Sequence, residues 1–587
     1  MKEIWIFSFE CAGVVKFGGL GEAVYNIAKH LAKRGFNVTL FIPSHGIHKW
    51  TETREKLQLR DIGLSIRGKA KQRTFMPYRN PFHYNIGTLK GFLDGFNVII
   101  FYGSDKLTSQ ILDDPVVYRA EHIDDKALLL ARGVSGFIEN LDALGQAPAD
   151  VIHAHDYHAV PAAVLAKQKL NDRNLHPALM LTIHLLSQKK VHWTYLGEDW
   201  CGIEDRPHHV HLQGDRKTLT HRQILRKAKN KLEAFAAIEG GTLASVSQAY
   251  LEEEVMKRVG SGCEDKKAFH WNGCDWNMET MLKETIGKFG TDIEVMLGTG
   301  EINRQDMRRY FLTKAIGSLR PEEPVLDEGK VKEFLGKFRK HPFLGEGKTE
   351  PFLEDGPLVL MTGRLTAQKG VSTLFRALPA VLSEVPDAKF VLLMLPIEEE
   401  ANLVEKFAKL TSKYANSARI IFGKAPSIYM LAHLSADVFA CPSEWEPFGI
   451  MALEAMATGN SVVSTSVGGL KEIVVDARQN PETGTGLIVA RNDHKTLAEA
   501  IVSLLSTMRF SEVTQREGKV QEAQRQELLR HIRYESLQNS VASNPLYGLM
   551  LRNNALKRVE ENFRWSKVIN MVISAYEKAS KVECSLC

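Results

Sequence analysis

The feature that most restricts this chain is an alternation of strand, loop, helix and strand that starts at its first residues. Residues 3–9 are a short run rich in β-branched and aromatic side chains, followed by VVKFGGLGEAVYNIAKHLAKRG. There Val24, Ile27, Ala28 and Leu31 recur at the helical period, and Gly35 supplies a stop. Residues 38–42 read as the next strand, ended by Pro43. A strand, a helix and a strand joined in this way form a βαβ unit, whose strands pair in parallel.

The rhythm continues. Residues 149–153 are strand-like, and a helical pattern runs from there through Leu170. Residues 178–184 and 242–246 read as strands, the second followed by a helix opening near Ser247. Residues 268–271 form a short strand that runs into the turn Asn272-Gly273. A second block starts near Pro357 with PLVLMTG and the helix KGVSTLFRALPAVLSEV, and its further strands are 390–395, 419–422, 437–441 and 461–464. The expected fold is α/β: two facing Rossmann-like doubly wound domains, with a ligand in the cleft between them at the carboxyl ends of the strands. A chain of 587 residues exceeds what one core organises. The expected domains are residues 1–350, with 321–350 an insertion or linker; 351–562, with 507–560 a helical insertion exposed to solvent; and a final helix, 563–587, that returns to the first domain.

Composition narrows the class of function. With 44% hydrophobic and 25% charged residues the chain reads as globular. A net charge of +5 from 75 basic and 70 acidic residues leaves no basic surplus for nucleic acid. Cys584 and Cys587 close the chain on a tail expected to fray, and the other five cysteines are scattered. That usage argues against a disulfide framework or a zinc site and for a reducing compartment. The opening MKEIWIFSFE is interrupted by Glu10 too soon for a signal peptide. No apolar run approaches the roughly 20 residues that span a bilayer. The expectation is a cytoplasmic protein with no membrane and no nucleic-acid partner.

Four segments carry chemistry. Lys16-Phe17-Gly18-Gly19-Leu20-Gly21 lies between a strand and a helix, where glycines admit a phosphate and the helix start offers N–H donors. It is neither a P-loop nor a dinucleotide fingerprint. Gly363-Arg364-Leu365 with Lys369-Gly370 places two cations where they could neutralise a departing diphosphate without a metal. Glu446-Pro447-Phe448-Gly449 opens a helix on which Glu454 follows about two turns later. His153-Ala154-His155-Asp156-Tyr157-His158 ends a strand, and His184 ends the next. Adjacent residues on a strand point to opposite faces, so hydrogen bonding to a polar substrate is favoured there over metal ligation.

Together and in this order, KFGGLGE, HAHDYH, TIH, NGCD, RLTAQKG and EPFGIMALE resemble the bacterial and archaeal glycogen synthases and the plant starch synthases. That resemblance runs from residue 1 to about 505, and FRWSKVI resembles the family's final helix. It implies the GT-B architecture and retaining transfer of glucose from ADP-glucose or UDP-glucose to an α-1,4-glucan. His184, Glu446, Arg364 and Lys369 would be catalytic. Lys16, Gly18, Gly19, Glu454, Gly468, Gly469 and Leu470 would hold the donor and its phosphates. Asp156 and Asn272 would contact acceptor or sugar. No cofactor and no metal are implied, and a homo-oligomer is compatible with the resemblance. Two positions depart from the family pattern: Glu22 stands for its usual Asp, and Phe448 for the Cys of bacterial members. Phe at the latter position is common in relatives acting on small acceptors. A hexosyltransferase with a sugar or sugar-phosphate acceptor, and a nucleotide-sugar epimerase, are the alternatives.

Overall fold

The computed structural model describes residues 2–70, 81–298, 300–326, 329–336, 349–518 and 520–586. The chain divides into two compact units. Unit 1 is Met1–Gly273 with Trp565–Cys587, and unit 2 is Cys274–Arg564.

Unit 1 contains β1 (Glu3–Phe7), β2 (Asn37–Pro43), β3 (Arg60–Ala70), β4 (Phe82–Leu93), β5 (Phe96–Gly103), β6 (Val151–His155), β7 (Ala178–Ile183), β8 (Pro207–Leu212), β9 (Asp215–Thr220), β10 (Thr242–Ser245) and β11 (Lys267–Phe269). Among the described residues, nine of these form one sheet in the order β11-β10-β7-β6-β1-β2-β5-β4-β3. From β11 to β5 the pairing is parallel, and β4 and β3 extend the edge antiparallel. β8 and β9 form a separate hairpin. The opening residues are thus the central strand, and Ile4–Phe7 are buried. Strands covered on both faces by crossover helices read as unbroken apolar runs.

The helix Gly19–Lys33 buries Leu20, Val24, Ile27 and Leu31 and ends at Arg34, with Gly35 left-handed at φ 84°. Beside it lies the final helix, Trp565–Cys584. Its Trp565, Val568, Ile569, Val572 and Tyr576 share one core with Ile4, Ile6, Val38 and Leu40. The tail expected to fray is therefore helical through Cys584, and Cys587 lies outside the described residues.

Unit 2 contains β12 (Leu358–Leu365), β13 (Lys389–Pro396), β14 (Ala418–Phe422), β15 (Val438–Cys441), β16 (Ser461–Thr465) and β17 (Gly486–Val489). They form a parallel sheet in the order β14-β13-β12-β15-β16-β17.

The boundary falls at Gly273/Cys274, not at 350/351. The reason is a charge network inside unit 2. Arg304, on the helix Arg304–Thr313, donates to the carbonyls of Ala436 and Thr458. From the same helix Arg308 donates to Asp437 at 2.9 Å. Asp437 also accepts from the Leu358 amide at 2.8 Å and from Arg552 at 3.1 Å. Burial pushes the Asp437 carboxyl up, but Arg308, Arg552 and the Leu358 amide outweigh it and hold it below the ordinary carboxylate range. Within the expected insertion at 321–350, Gly329–Gly336 is helical, while 327–328 and 337–348 lie outside the described residues.

The expectation of solvent-exposed helix over 507–560 is corrected in the same way. His494–Glu517, Glu522–His531, Glu535–Ser543 and Tyr547–Arg558 are helices. Leu528, Ile532, Leu537, Val541, Tyr547 and Leu551 all join the core of unit 2. Among the charged residues that suggested an exposed helix, Arg516, Glu517, Glu522, Glu527, Arg530 and Arg533 do face solvent.

Replacing Asp437 by Asn strips a buried counter-ion from Arg308 and Arg552. It is expected to lower the stability of unit 2 by about 3–5 kcal/mol, the scale for breaking a buried ion pair by removing one partner. A urea unfolding midpoint unchanged by the substitution would contradict the role given to this carboxylate.

Candidate functional site

In a doubly wound sheet the strand order reverses at one point, and the loops leaving the two strands there diverge to form a crevice at their carboxyl ends. In unit 1 the reversal lies between β1 and β6, and in unit 2 between β12 and β15. Lys16, Gly18 and Gly19 follow β1, Asp156 follows β6, His184 follows β7 and Asn272 follows β11. Arg364 ends β12 and Lys369 follows it, while Glu446 and Glu454 come after β15 and Gly468–Leu470 after β16. Each unit gathers its own set at its own carboxyl edge.

In unit 1 the glycine loop wraps a carboxylate of the protein itself. Buried Glu10 accepts from the amides of Phe17 and Gly18 at 2.6 and 2.7 Å, and from the Tyr118 hydroxyl. The Gly18 amide therefore already has an internal anion, where a phosphate was expected. Lys16 meets Glu22 at 2.7 Å on the surface, a pairing of small net strength that leaves the cation available. No described atom lies within 4 Å of the place a Cβ would occupy on Gly18. Packing does not demand the glycine there, and the space beside it is open. Gly19 is the first residue of the helix.

Next to this loop sits a cluster of neutral histidines. Alternation puts His153 and His155 on one face of β6, with ring centroids 4.0 Å apart. His155 Nδ1 lies 2.9 Å from His184 Nε2. His153 meets the Tyr576 hydroxyl at 2.8 Å, and Thr182 bridges it to His270. His158 packs its ring 4.4 Å from that of Phe9, and neither of its nitrogens has a partner among the described residues. Burial drives His158 and His184 down to about 3 and His270 to about 4, and holds His153 and His155 well below the ordinary imidazole value. Asp156 goes the other way, raised by burial to about 7 against the amides of His184 and Leu185 that donate to it. It fixes the backbone that presents His184. Asn272 is buried, and its Oδ1 has no partner among the described residues.

In unit 2 the two central loops meet in an ion pair. Lys369 Nζ lies 2.6 Å from Glu446 Oε2, and both side chains are under 10% exposed. Ser443 donates to the same carboxylate oxygen at 3.3 Å. Two glycines permit this approach. Gly370 has φ 70°, and a Cβ there would stand 1.9 Å from the Pro442 carbonyl. Gly468 has φ 44°, and a Cβ would stand 1.8 Å from the Glu446 carbonyl. The Gly469 amide donates to that carbonyl and the Leu470 amide to Val467. Of the expected amide trio only Gly468 has no internal acceptor among the described residues. Arg364 is half-buried, and its guanidinium has no hydrogen-bond or ion-pair partner among the described residues, although its carbonyl accepts from the Thr366 amide at 3.0 Å. Glu454 accepts from Tyr429 at 3.1 Å, and Tyr429 also reaches Thr362 at 3.3 Å. The unusual Phe448 is buried, with its ring 6.2 Å from Phe563.

Motif reading missed Glu10, Tyr118, Ser443 and Tyr429. Glu10 carries a detectable signal, an acidic residue at the exit of the first strand just before a glycine loop. Tyr118 and Tyr429 lie far along the chain from their partners and carry none.

Residues 347–521 match the family model described as Glycosyl transferases group 1. The solved catalytic domain of starch synthase IV from Arabidopsis thaliana, bound to ADP and acarbose, aligns over 99% of both chains with a TM-score of 0.64 at 18% identity. The chain is a glycosyltransferase of the GT-B architecture, built from two Rossmann-like units. Residues 3–266 match the Starch synthase catalytic domain. A glycogen synthase of Geotalea daltonii is 23% identical over 518 residues, 85% of this chain and 90% of that one. One of Bacillus cereus is 23% identical over 500 residues, 81% of this chain and 86% of that one. The chain belongs to the glycogen and starch synthase family. Among the described residues, no helix is long and apolar enough to cross a membrane.

Two measurements test the site's electrostatics. Lys369→Met leaves Glu446 buried without its cation, and Glu446→Gln does the reverse. Each is expected to destabilise unit 2 by about 3–5 kcal/mol, while the double variant recovers most of the loss. Strictly additive losses would show that the two groups are not coupled. In unit 1 a buried histidine whose folded pKa is lowered contributes stability above its unfolded value, about 6.5, and loses it as pH falls toward the folded value. Asp156 acts oppositely, but five histidines outnumber one carboxyl. The urea midpoint should therefore drop between pH 7 and pH 5, and His158→Phe should shrink that drop. Equal midpoints at the two pH values would contradict the neutral cluster.

Proposed function

We propose that this chain lengthens an α-1,4-glucan by moving glucose from a nucleotide diphosphate-glucose to the chain's non-reducing end with retention of configuration. The observation that carries the reading is Arg364, a half-buried guanidinium without a counter-ion, at the end of β12 beside the buried Lys369–Glu446 pair. An unpaired cation at a switch point suits an anionic ligand. Breaking a sugar–phosphate bond leaves negative charge on the departing oxygen, and positioned cations stabilise that charge as it develops.

On this reading Arg364 and Lys369 hold the leaving diphosphate, so no metal is required for the transfer. Lys369 would turn from Glu446 to the phosphate, leaving Glu446 to face the sugar. Glu454, already hydrogen-bonded to Tyr429, would take the ribose hydroxyls. Neutral His184, held by Asp156, would orient the transferred glucose, and the unpartnered Oδ1 of Asn272 would accept from a sugar hydroxyl. The open space at Gly18 and the loosely paired Lys16 would admit donor or acceptor edge. The departing diphosphate would accept the acceptor's proton.

The test is nucleotide release from ADP-glucose or UDP-glucose, with and without glycogen. Release that depends on glycogen, with growth of the polymer, is the expected result. Release only with a small sugar or sugar phosphate would move the enzyme to another acceptor class, and release without any acceptor would favour the epimerase. Arg364→Ala should lower kcat by on the order of 10² to 10³. A loss under about threefold would remove Arg364 from the reaction.

A further inference from the structure

Away from the carboxyl edge, unit 1 brings together three side chains that no short motif joins. His208 lies on β8, His221 opens the helix His221–Lys227 and Glu239 closes the helix Leu232–Glu239. One ligand atom from each lies within 4.8 Å of the others. His208 Nε2 is 2.9 Å from Glu239 Oε2, and His221 Nε2 is 3.8 Å from Glu239 Oε1. The two imidazoles stack, with centroids 4.1 Å apart. Ligand atoms of a tetrahedral zinc site with bonds of about 2.0–2.1 Å stand roughly 3.3 Å apart. The two imidazole–carboxylate separations, each to a different oxygen of Glu239, fall on either side of that spacing.

Two buried atoms of the cluster lack a hydrogen-bond partner, and His208 faces an acceptor at each ring nitrogen. His208 Nδ1 faces the Arg206 carbonyl at 3.2 Å while its Nε2 faces the carboxylate, so both ring nitrogens meet acceptors. A neutral imidazole has one N–H, and it cannot serve both. With Nδ1–H donated to the carbonyl, Nε2 presents a lone pair, the arrangement that carbonyl partners impose on ligating histidines. His221 Nδ1 and Glu239 Oε1 have no hydrogen-bond partner among the described residues, although the two residues are only 4% and 2% exposed. The Glu239 carboxylate also sits at a helix C-terminus, the end that favours positive charge. The neighbouring cations are engaged elsewhere. Lys167 donates to the Glu239 backbone carbonyl and pairs with Glu583 at 2.6 Å, and Arg206 pairs with Asp172. A cavity of about 220 Å³, lined also by Gln168, Asn171 and Asp172, opens onto the three side chains.

We propose that His208, His221 and Glu239 bind one divalent transition-metal ion of the zinc class, with a fourth position open to the cavity for water or a small ligand. The ion fastens the β8–β9 hairpin to the two helices that follow it. It takes no part in the transfer reaction, and the inference is independent of the proposed function.

The test uses the full-length chain, stripped with a chelator and titrated with Zn²⁺ against a chromophoric competitor. One equivalent should bind, and the thermal midpoint should rise with zinc and fall again on chelation. His221→Ala and Glu239→Gln should each weaken binding by at least about 100-fold, beyond the 10–100-fold typical of losing a supporting contact. His209→Gln, on the exposed side of the same strand, should leave it unchanged. Should a ligand variant fail to fold, Co²⁺ in the unmodified chain decides, because four-coordinate nitrogen and oxygen ligation gives an intense visible absorption that six-coordinate cobalt lacks. Failure of the unmodified chain to bind zinc, undiminished binding in His221→Ala, or a six-coordinate cobalt spectrum would each overturn the proposal. In those cases the cluster is a protonated His208 paired with Glu239 and nothing more.

Discussion

Parallel pairing is the constraint on which the rest of this molecule depends. Strands that run the same way cannot be joined by tight turns, so consecutive parallel strands are linked by crossovers and the loops that leave them emerge at the same edge. That geometry carries Lys16, Asp156, His184 and Asn272 to one edge of unit 1, and Arg364, Lys369, Glu446 and Gly468 to one edge of unit 2. Residues far apart in the chain become neighbours because of strand order alone. Glycines with left-handed backbone at 370 and 468 then bring the loops after β12 and β16 within contact of the segment after β15.

Both edges meet their electrostatic demands internally. Glu10 fills the amide nest of the glycine loop in unit 1, and Glu446 holds Lys369 in unit 2. An anionic ligand entering unit 2 must compete with a carboxylate already in place, which disfavours weakly charged intruders. The Arg364 guanidinium stands outside this internal balance, and on the proposed reading it is the group that the diphosphate of a donor would meet. The histidines after β6 and β7 stay neutral through burial, so they hydrogen-bond without adding charge.

Much of the fold was legible, and what escaped notice has more than one physical origin. Parallel strands buried on both faces announce themselves as apolar runs, and β1, β2, β6, β7, β10, β12 to β16 and β11 lie within a residue or two of where the runs suggested. The antiparallel edge, the β8–β9 hairpin and two parallel strands, β5 and β17, were not read. Along β3 Ile62, Leu64, Ile66 and Ala70 turn inward, the first three half-buried between exposed residues. Such alternation offers no unbroken apolar run to mark the strand. The expected boundary followed the stretch at 321–350, read as an insertion or linker, whereas Arg304 and Arg308, well before it, are already buried ties to Asp437 and its neighbours. Motifs located most of the candidate site, since glycine and charge spacing are local properties. They could not show that Lys369 and Glu446 pair, or that Tyr429 reaches Glu454, because those contacts exist only after the strands are ordered.

The last helix gives the chain a particular order of events during synthesis. Trp565, Val568, Ile569 and Tyr576 cover apolar surface of β1, β2 and the helix Gly19–Lys33, all made at the beginning. At about 5–20 residues per second, the ribosome adds the on the order of 300 intervening residues of unit 2 in about 15–60 s. Throughout that interval the nascent first unit carries an uncovered greasy flank, while the unit encoded in between is free to finish first. Unit 1 thus starts folding earliest and closes last, and its vulnerability to chaperone capture or aggregation is set by translation speed.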